Sequence, residues 1–153
     1  MMKRFIWYAY ILLIASGFAY SQESGSGLGI KVGEPSGINL KLWLNSVNAV
    51  SITTGYSLIQ NDRSLYISCD YLYHIEDIIK SEERMPVYYG FGGRLLTKER
   101  EDASFGVRGV MGVAWYGRDI PVDVFFEIAP VFKLIPSTSM DFEAGIGTRY
   151  FFH

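Results

Sequence analysis

Two long runs near the end of the chain alternate with a period of two, and this limits the fold more than any other feature. From Val122 the even positions read Val122, Val124, Phe126, Ile128, Pro130, Phe132 and Leu134, and the odd ones Asp123, Phe125, Glu127, Ala129, Val131 and Lys133. The second run sets Met140, Phe142, Ala144, Ile146, Thr148, Tyr150 and Phe152 against Asp141, Glu143, Gly145, Gly147, Arg149 and Phe151. Successive side chains of a strand point to opposite faces, so each run is a strand with one uncharged face and one face that collects the charges. Val107, Gly109, Met111, Val113 and Trp115 oppose Gly106, Arg108, Val110, Gly112 and Ala114 in the same way.

The pattern predicts strands at 28–33, 38–44, 49–58, 64–75, 86–96, 105–116, 122–134 and 140–152. The links have tight-turn or charged compositions: Glu34-Pro35-Ser36-Gly37, Asn45 to Asn48, Gln60 to Arg63, Glu76 to Met85, Thr97 to Ser104, Gly117 to Pro121 and Pro136 to Ser139. Parallel pairs need crossovers of a dozen residues or more, so short links imply antiparallel neighbours. The expected fold is all-β, an eight-stranded up-and-down barrel.

The N-terminal stretch reads differently. Lys3 and Arg4 precede an uncharged apolar run from Phe5 to Ile14, then the small residues Ala15-Ser16-Gly17 and Ala19-Tyr20-Ser21. This is the layout of a secretory signal peptide over 1–21, cut after Ala19 or Ser21. A membrane anchor is the alternative, but the run is short for a bilayer span. Residues 22–27 are polar and Gly/Ser-rich and read as a flexible lead-in, leaving 28–153 as the barrel domain. The one cysteine, Cys69, lies far from the cut and has no intrachain partner. The formal charge of −2 gives no reason to expect nucleic acid as a partner.

Alternation alone does not say which face is outside. The uncharged face carries Tyr56, Tyr71, Tyr73, Tyr89, Phe91, Trp115, Phe126, Phe132, Phe142, Tyr150 and Phe152. An eight-stranded barrel has room inside for little more than a filling of side chains, and this set is too bulky for it. The other face holds Gly90, Gly92, Gly106, Gly112, Gly145 and Gly147, which suit a narrow interior. It also carries Lys31, Lys41, Arg94, Arg108, Lys133 and Arg149 against Asp70, Asp123, Glu127, Asp141 and Glu143, a balance that a desolvated network needs. Aromatic residues gather near strand ends, as in interfacial girdles. The reading is a transmembrane barrel with a side-chain-filled polar lumen. A soluble, lipocalin-like barrel binding a small apolar ligand is the alternative.

Several short motifs carry a resemblance. They are Gly33-Glu34-Pro35-Ser36-Gly37-Ile38 followed by Lys41-Leu42-Trp43-Leu44, then Asn48-Ala49, Pro86 to Arg94, Ala129-Pro130-Val131, Pro136-Ser137-Thr138 and Phe142 to Tyr150. In this order, over about 28–152, the chain resembles a family of small uncharacterised outer-membrane β-barrel proteins. The resemblance implies an eight-stranded barrel in the outer membrane and supplies no catalytic residues. Outer-membrane barrels usually end on an aromatic residue; Tyr150 and Phe152 fit, whereas His153 departs from that pattern.

No chemistry stands out. Gly27-Leu28-Gly29 could open a phosphate-cradling loop, but such a loop needs a following helix, and here Pro35-Ser36-Gly37 turns the chain into a second strand. In that turn Pro35 suits the first central position and Gly37 the exit. A Ser/His/acid set would require His74 beside Ser68 and Asp70, and a lipid-modifying enzyme is a second alternative on that ground. Asp141, Glu143, Asp123 and Glu127 could imitate a carboxylate pair, yet partnership with Arg149, Arg108 and Lys133 is the simpler reading. The histidines and the cysteine have no metal-ligand spacing, and no cofactor is expected. With both termini periplasmic, the outward links are Glu34 to Gly37, Ile59 to Arg63, Thr97 to Ser104 and Ile135 to Ser139. The dense mixed-charge tip Lys98, Glu99, Arg100, Glu101 and Asp102 is the candidate surface for an extracellular protein partner. The sequence therefore suggests a monomeric, non-enzymatic outer-membrane protein in contact with membrane lipid. Its role is structural or surface-interacting (adhesin-like), and it forms no open pore.

Overall fold

The computed structural model describes residues 25–56, 64–99 and 101–152. The expected signal peptide, Arg100 and His153 lie outside the described residues. Eight strands follow one another: β1 Ser26–Glu34, β2 Ser36–Trp43, β3 Asn48–Tyr56, β4 Ser64–Ile75, β5 Val87–Lys98, β6 Glu101–Tyr116, β7 Val122–Ile135 and β8 Ser139–Phe152. Each pairs antiparallel with the next, and β1 pairs with β8 from Ser26↔Phe152 to Glu34↔Ala144, closing the barrel. The fold is thus all-β, a closed eight-stranded up-and-down barrel. Among the described residues no helix is long and apolar enough to cross a membrane.

Three local features differ from the sequence expectation. β1 starts at Ser26, so Ser26 and Gly27 are paired strand residues and not lead-in. The first turn is centred one residue earlier than expected: Ser36 Oγ accepts from Gly33 N (3.0 Å) and donates to Gly33 O (2.9 Å), and Pro35 follows a cis peptide as the third residue of Gly33–Ser36. Gly33 has φ +141°, a conformation side chains disfavour. The third outward link is also tighter than the expected Thr97 to Ser104, because Lys98 pairs with Glu101 across the turn after a bulge at Leu96/Lys98. Strand pairing extends here because Thr97, Ser104 and Phe105 belong to the alternating pattern, a signal that the surrounding charges mask.

The two faces differ sharply in charge. Buried inside are Lys31, Lys41, Asp70, Arg94, Arg108, Asp123, Glu127, Glu143 and Arg149. Outside, Ile30, Val32, Phe91, Met111, Phe126 and Phe142 are among many large exposed apolar side chains, with Phe91 at 71% exposure. The free Cys69 is also outside. This reverses the arrangement of a soluble protein, where charged groups are almost never buried and large contiguous apolar surfaces are rare.

The interior is not uniformly polar. Leu72, Tyr88, Val110, Ala114, Phe125 and Ala129 form a buried apolar cluster on the β4–β7 side, with Tyr116 packed against it. Glycines make room for its rings: a Cβ on Gly112 would lie 2.4 Å from Tyr88 Cζ and 2.6 Å from Phe126 O. Gly112→Val is therefore expected to destabilise the folded protein by about 1–3 kcal/mol or more, read as a lower urea midpoint in detergent. Gly109→Ala, which faces outward with only Pro130 Cγ at 3.8 Å, should leave that midpoint nearly unchanged.

Candidate functional site

The interior charges form three groups stacked along the barrel. At the end away from the termini, Arg94 on β5 reaches across to β8, with Nη1 2.6 Å from Glu143 Oε1 and Nη2 2.9 Å from Asp141 Oδ2. Lys133 Nζ joins Asp141 Oδ2 at 3.3 Å on the partly exposed rim.

In the middle, Arg108 on β6 is the hub. Its Nη1 donates to Glu143 Oε2 (2.8 Å) and to the Tyr66 hydroxyl, which itself donates to Glu143 Oε2 at 2.8 Å. Its Nε lies 3.2 Å from Asp70 Oδ1, an ion pair without the alignment of a hydrogen bond, and its Nη2 lies 3.6 Å from Glu127 Oε1. Glu127 also takes Lys31 from β1 and a 3.0 Å bond from the Tyr88 hydroxyl. Lys31 reaches β7 because Gly145 is bare: a Cβ there would sit 2.5 Å from Lys31 Cε.

Nearer the termini, Arg149 Nε and Nη2 grip Asp123 at 3.0 and 2.7 Å. Its Nη1 donates to Asn39 Oδ1 (3.0 Å), and the guanidinium lies 3.9 Å over the Phe125 ring. Asn39 in turn donates to Ser51 and Thr53, both at 2.9 Å.

Lys41 departs from the picture of cations facing carboxylates. Its Nζ is 2.7 Å from His74 Nε2 and 3.2 Å from the Tyr116 hydroxyl, and it lies 4.3 Å from the Trp43 ring centre. Among the described residues no carboxylate pairs with it directly. His74 Nδ1 lies 3.1 Å from Val47 O, a carbonyl that only accepts, so the other ring nitrogen is left to accept from Lys41. Trp43, His74, Tyr88 and Tyr116 thus plug this end around the Lys41 side-chain nitrogen.

The hydrolase-like set is not assembled. His74 bonds Lys41 and Val47, Asp70 faces Arg108, and Ser68 Oγ makes no hydrogen bond. Asp123, Glu127, Asp141 and Glu143 each meet a cation rather than one another. The tip residues Lys98, Glu99, Glu101 and Asp102 are gathered at the far end, with Lys98 and Glu101 paired at 2.5 Å. Sequence reasoning missed Tyr66, Tyr88 and Asn39 as members of the network. Parity could have found them, since each shares a face with a charged residue on its own strand: Asp70, Arg94 and Lys41.

The class that fold and interior define is a closed eight-stranded barrel with an apolar exterior and a charge-filled core. Among solved structures the chain is similar to the N-terminal β-barrel domain of OprF from Pseudomonas aeruginosa, with a TM-score of 0.59 and 15% sequence identity. The match covers 87% of this chain and 100% of that one, and at such identity it is a likeness of fold. No family model and no curated protein matches the chain, so the family resemblance of the Gly33–Ile38 and Phe142–Tyr150 motifs gains no further support.

Removing one partner from a buried pair strands the other charge at a cost of about 3–5 kcal/mol. Arg149→Leu is therefore expected to lower unfolding stability by about that amount, and Arg149→Leu with Asp123→Leu to recover much of it. Equilibrium urea unfolding in detergent measures both. An unchanged midpoint for the single variant contradicts the pairing.

Proposed function

We propose that this chain is an integral outer-membrane β-barrel protein with a filled interior, serving a structural or surface-interaction role and not conduction. The observation that carries the reading is the inversion of polarity. Ile30, Phe91 and Phe126 face outward while Arg108, Glu127 and Arg149 are buried in mutual contact. Hydrocarbon solvates the first set without cost, and closure leaves no unpaired strand edge along the β1–β8 seam where lipid would meet it. β1 to β3, with 9, 8 and 9 residues, are about the length that crosses a bilayer when tilted.

Further features support the address. Tyr73, Tyr89, Tyr150 and Phe152 are exposed towards the end that carries the termini, with Tyr73–Tyr89 at 5.5 Å and Tyr150–Phe152 at 5.1 Å, in the manner of an interfacial girdle. The signal-peptide layout of 1–21 and the fold likeness to the OprF barrel domain agree with it. On this reading the termini are periplasmic, the partner surface is the opposite end, and lipid is the main contact of a monomeric protein. A soluble barrel for a small apolar ligand would need an apolar cavity, whereas salt bridges and the Leu72–Phe125 cluster occupy this interior. The role proposed involves no enzymatic step.

Two measurements test the reading. Protein refolded in detergent should migrate differently on SDS gels before and after boiling; equal migration together with solubility in plain buffer would overturn the membrane assignment. In planar bilayers it should show no steady open-channel conductance, because the Arg108 and Arg149 groups span the lumen. Sustained ion flow would contradict the filled interior.

A further inference from the structure

The two hairpins flanking the β1–β8 seam differ in reach. β1 ends at Glu34, opposite Ala144, but β8 begins at Ser139. Residues 139–143 are therefore paired with β7 on one side, through Val131↔Asp141 and Phe132↔Met140, and among the described residues have no strand on the other. The ladder also shows which backbone groups lie free. Phe151 N donates to Pro121 O (2.7 Å), so odd residues of β8 turn their amides towards β7. The register with β7 runs unbroken from there to Ser139, and the direction alternates along a strand. Met140 and Phe142 consequently present N–H and C=O away from β7, where β1 is missing. Pro130 agrees: it stands opposite Phe142 and has no N–H to give, and its gap falls in the β6–β7 ladder instead.

Unpaired amides are not tolerated in hydrocarbon, which places this edge at or above the lipid surface. There it also carries two of the most exposed apolar side chains of the molecule, Met140 at 71% and Phe142 at 65%. An exposed edge flanked by apolar groups is a template for another strand.

We infer that the Ser139–Glu143 edge of β8 is a docking site for an extended segment of another protein, which adds as a strand beside it. A second copy of this chain is a poor occupant: the symmetric antiparallel registers that engage Phe142 set Asp141 against Asp141 or against Glu143, where like charges destabilise, and the one centred on Met140 leaves Phe142 outside the paired edge. The fitting segment alternates apolar residues, continuing the outer face of Met140 and Phe142, with basic ones on the inner face, where Asp141 is partly exposed and both of its cations, Arg94 and Lys133, take Oδ2 and leave Oδ1 to accept. The inference rests on the membrane-barrel reading only for which end is free of lipid.

The test is a titration of full-length protein refolded in a zwitterionic detergent and already shown to migrate heat-dependently, so that failure reports on the edge and not on the membrane reading. The probe is the peptide acetyl-Val-Lys-Val-Lys-Val-amide, followed through backbone amide signals. Saturable shifts are expected at Met140 and Phe142. Phe142→Pro removes an edge donor while sparing the β7 ladder, and should weaken binding by about tenfold or more, whereas Phe142→Ala, which keeps the N–H, should change it by less than about threefold. Should Phe142→Pro not fold, Met140→Pro makes the same test. The inference is overturned by absence of saturable binding at millimolar peptide, by unchanged affinity of the proline variant, or by equal loss in both variants, which would mean side-chain docking alone.

Discussion

Nine charged side chains are shut inside the described barrel, and their need to satisfy one another governs much of the rest. A buried ion without a partner costs several kcal/mol, so, Lys41 apart, each placement is conditional on a partner on another strand. Arg108 meets Asp70 from β4, Glu127 from β7 and Glu143 from β8, which ties the non-adjacent strands β4 and β8, as well as the neighbouring β7, to β6. Lys31 and Arg149 extend the same linkage to β1 and β2 through Glu127 and Asn39. Antiparallel ladders hold neighbours together. The cross-lumen pairs fix how the ladders lie relative to one another, and with them the register at which β1 meets β8.

Room for these pairs comes from glycine. The chains that cross the lumen do so over bare backbone, as Lys31 does over Gly145 and the Tyr88 and Phe125 rings do beside Gly112 and Gly147. Bulky residues excluded from the interior must then lie outside, and this produces the apolar exterior. The polarity inversion is therefore a consequence of how little space eight strands enclose, and a barrel of more strands would not impose it so strictly.

Much of this was legible in the sequence because parity is a local property. Val122 to Phe152 alone separate the two faces, and their bulk and charge identify the inner one. Partner identity was not legible, because contacts across the lumen depend on strand tilt and stagger, which alternation does not encode. Lys41 illustrates the limit: its parity placed it among the cations, but only the fold shows it 2.7 Å from His74 and enclosed by Trp43, Tyr88 and Tyr116. The apolar cluster escaped for a related reason. Leu72, Val110 and Ala129 lie on the charged face by parity, and a reading that labels the whole face polar overlooks them. The β5–β6 tip was misjudged because charges at Lys98 and Glu101 suggested a loop, whereas opposite charges across a tight turn favour pairing.

The two ends of the barrel also solve different physical problems. At the end with the termini, residues 76–86 fold back onto β6, with Ala114 N and Tyr116 N donating to Pro86 O and Arg84 O at 3.1 and 3.0 Å. Arg84, bound to Glu76, lies over the Tyr116 ring at 5.0 Å. The longest described link is thus tied at Arg84 and Pro86 to the rim of a mouth already plugged by aromatics. At the opposite end the β1–β2 hairpin stops at Glu34 while β7 and β8 continue, and no described segment covers the step. Closure removes every edge within the common span of the strands but not beyond the shortest of them. A barrel with strands of 8 to 16 residues must therefore carry an open edge somewhere, and here the register places it on β8.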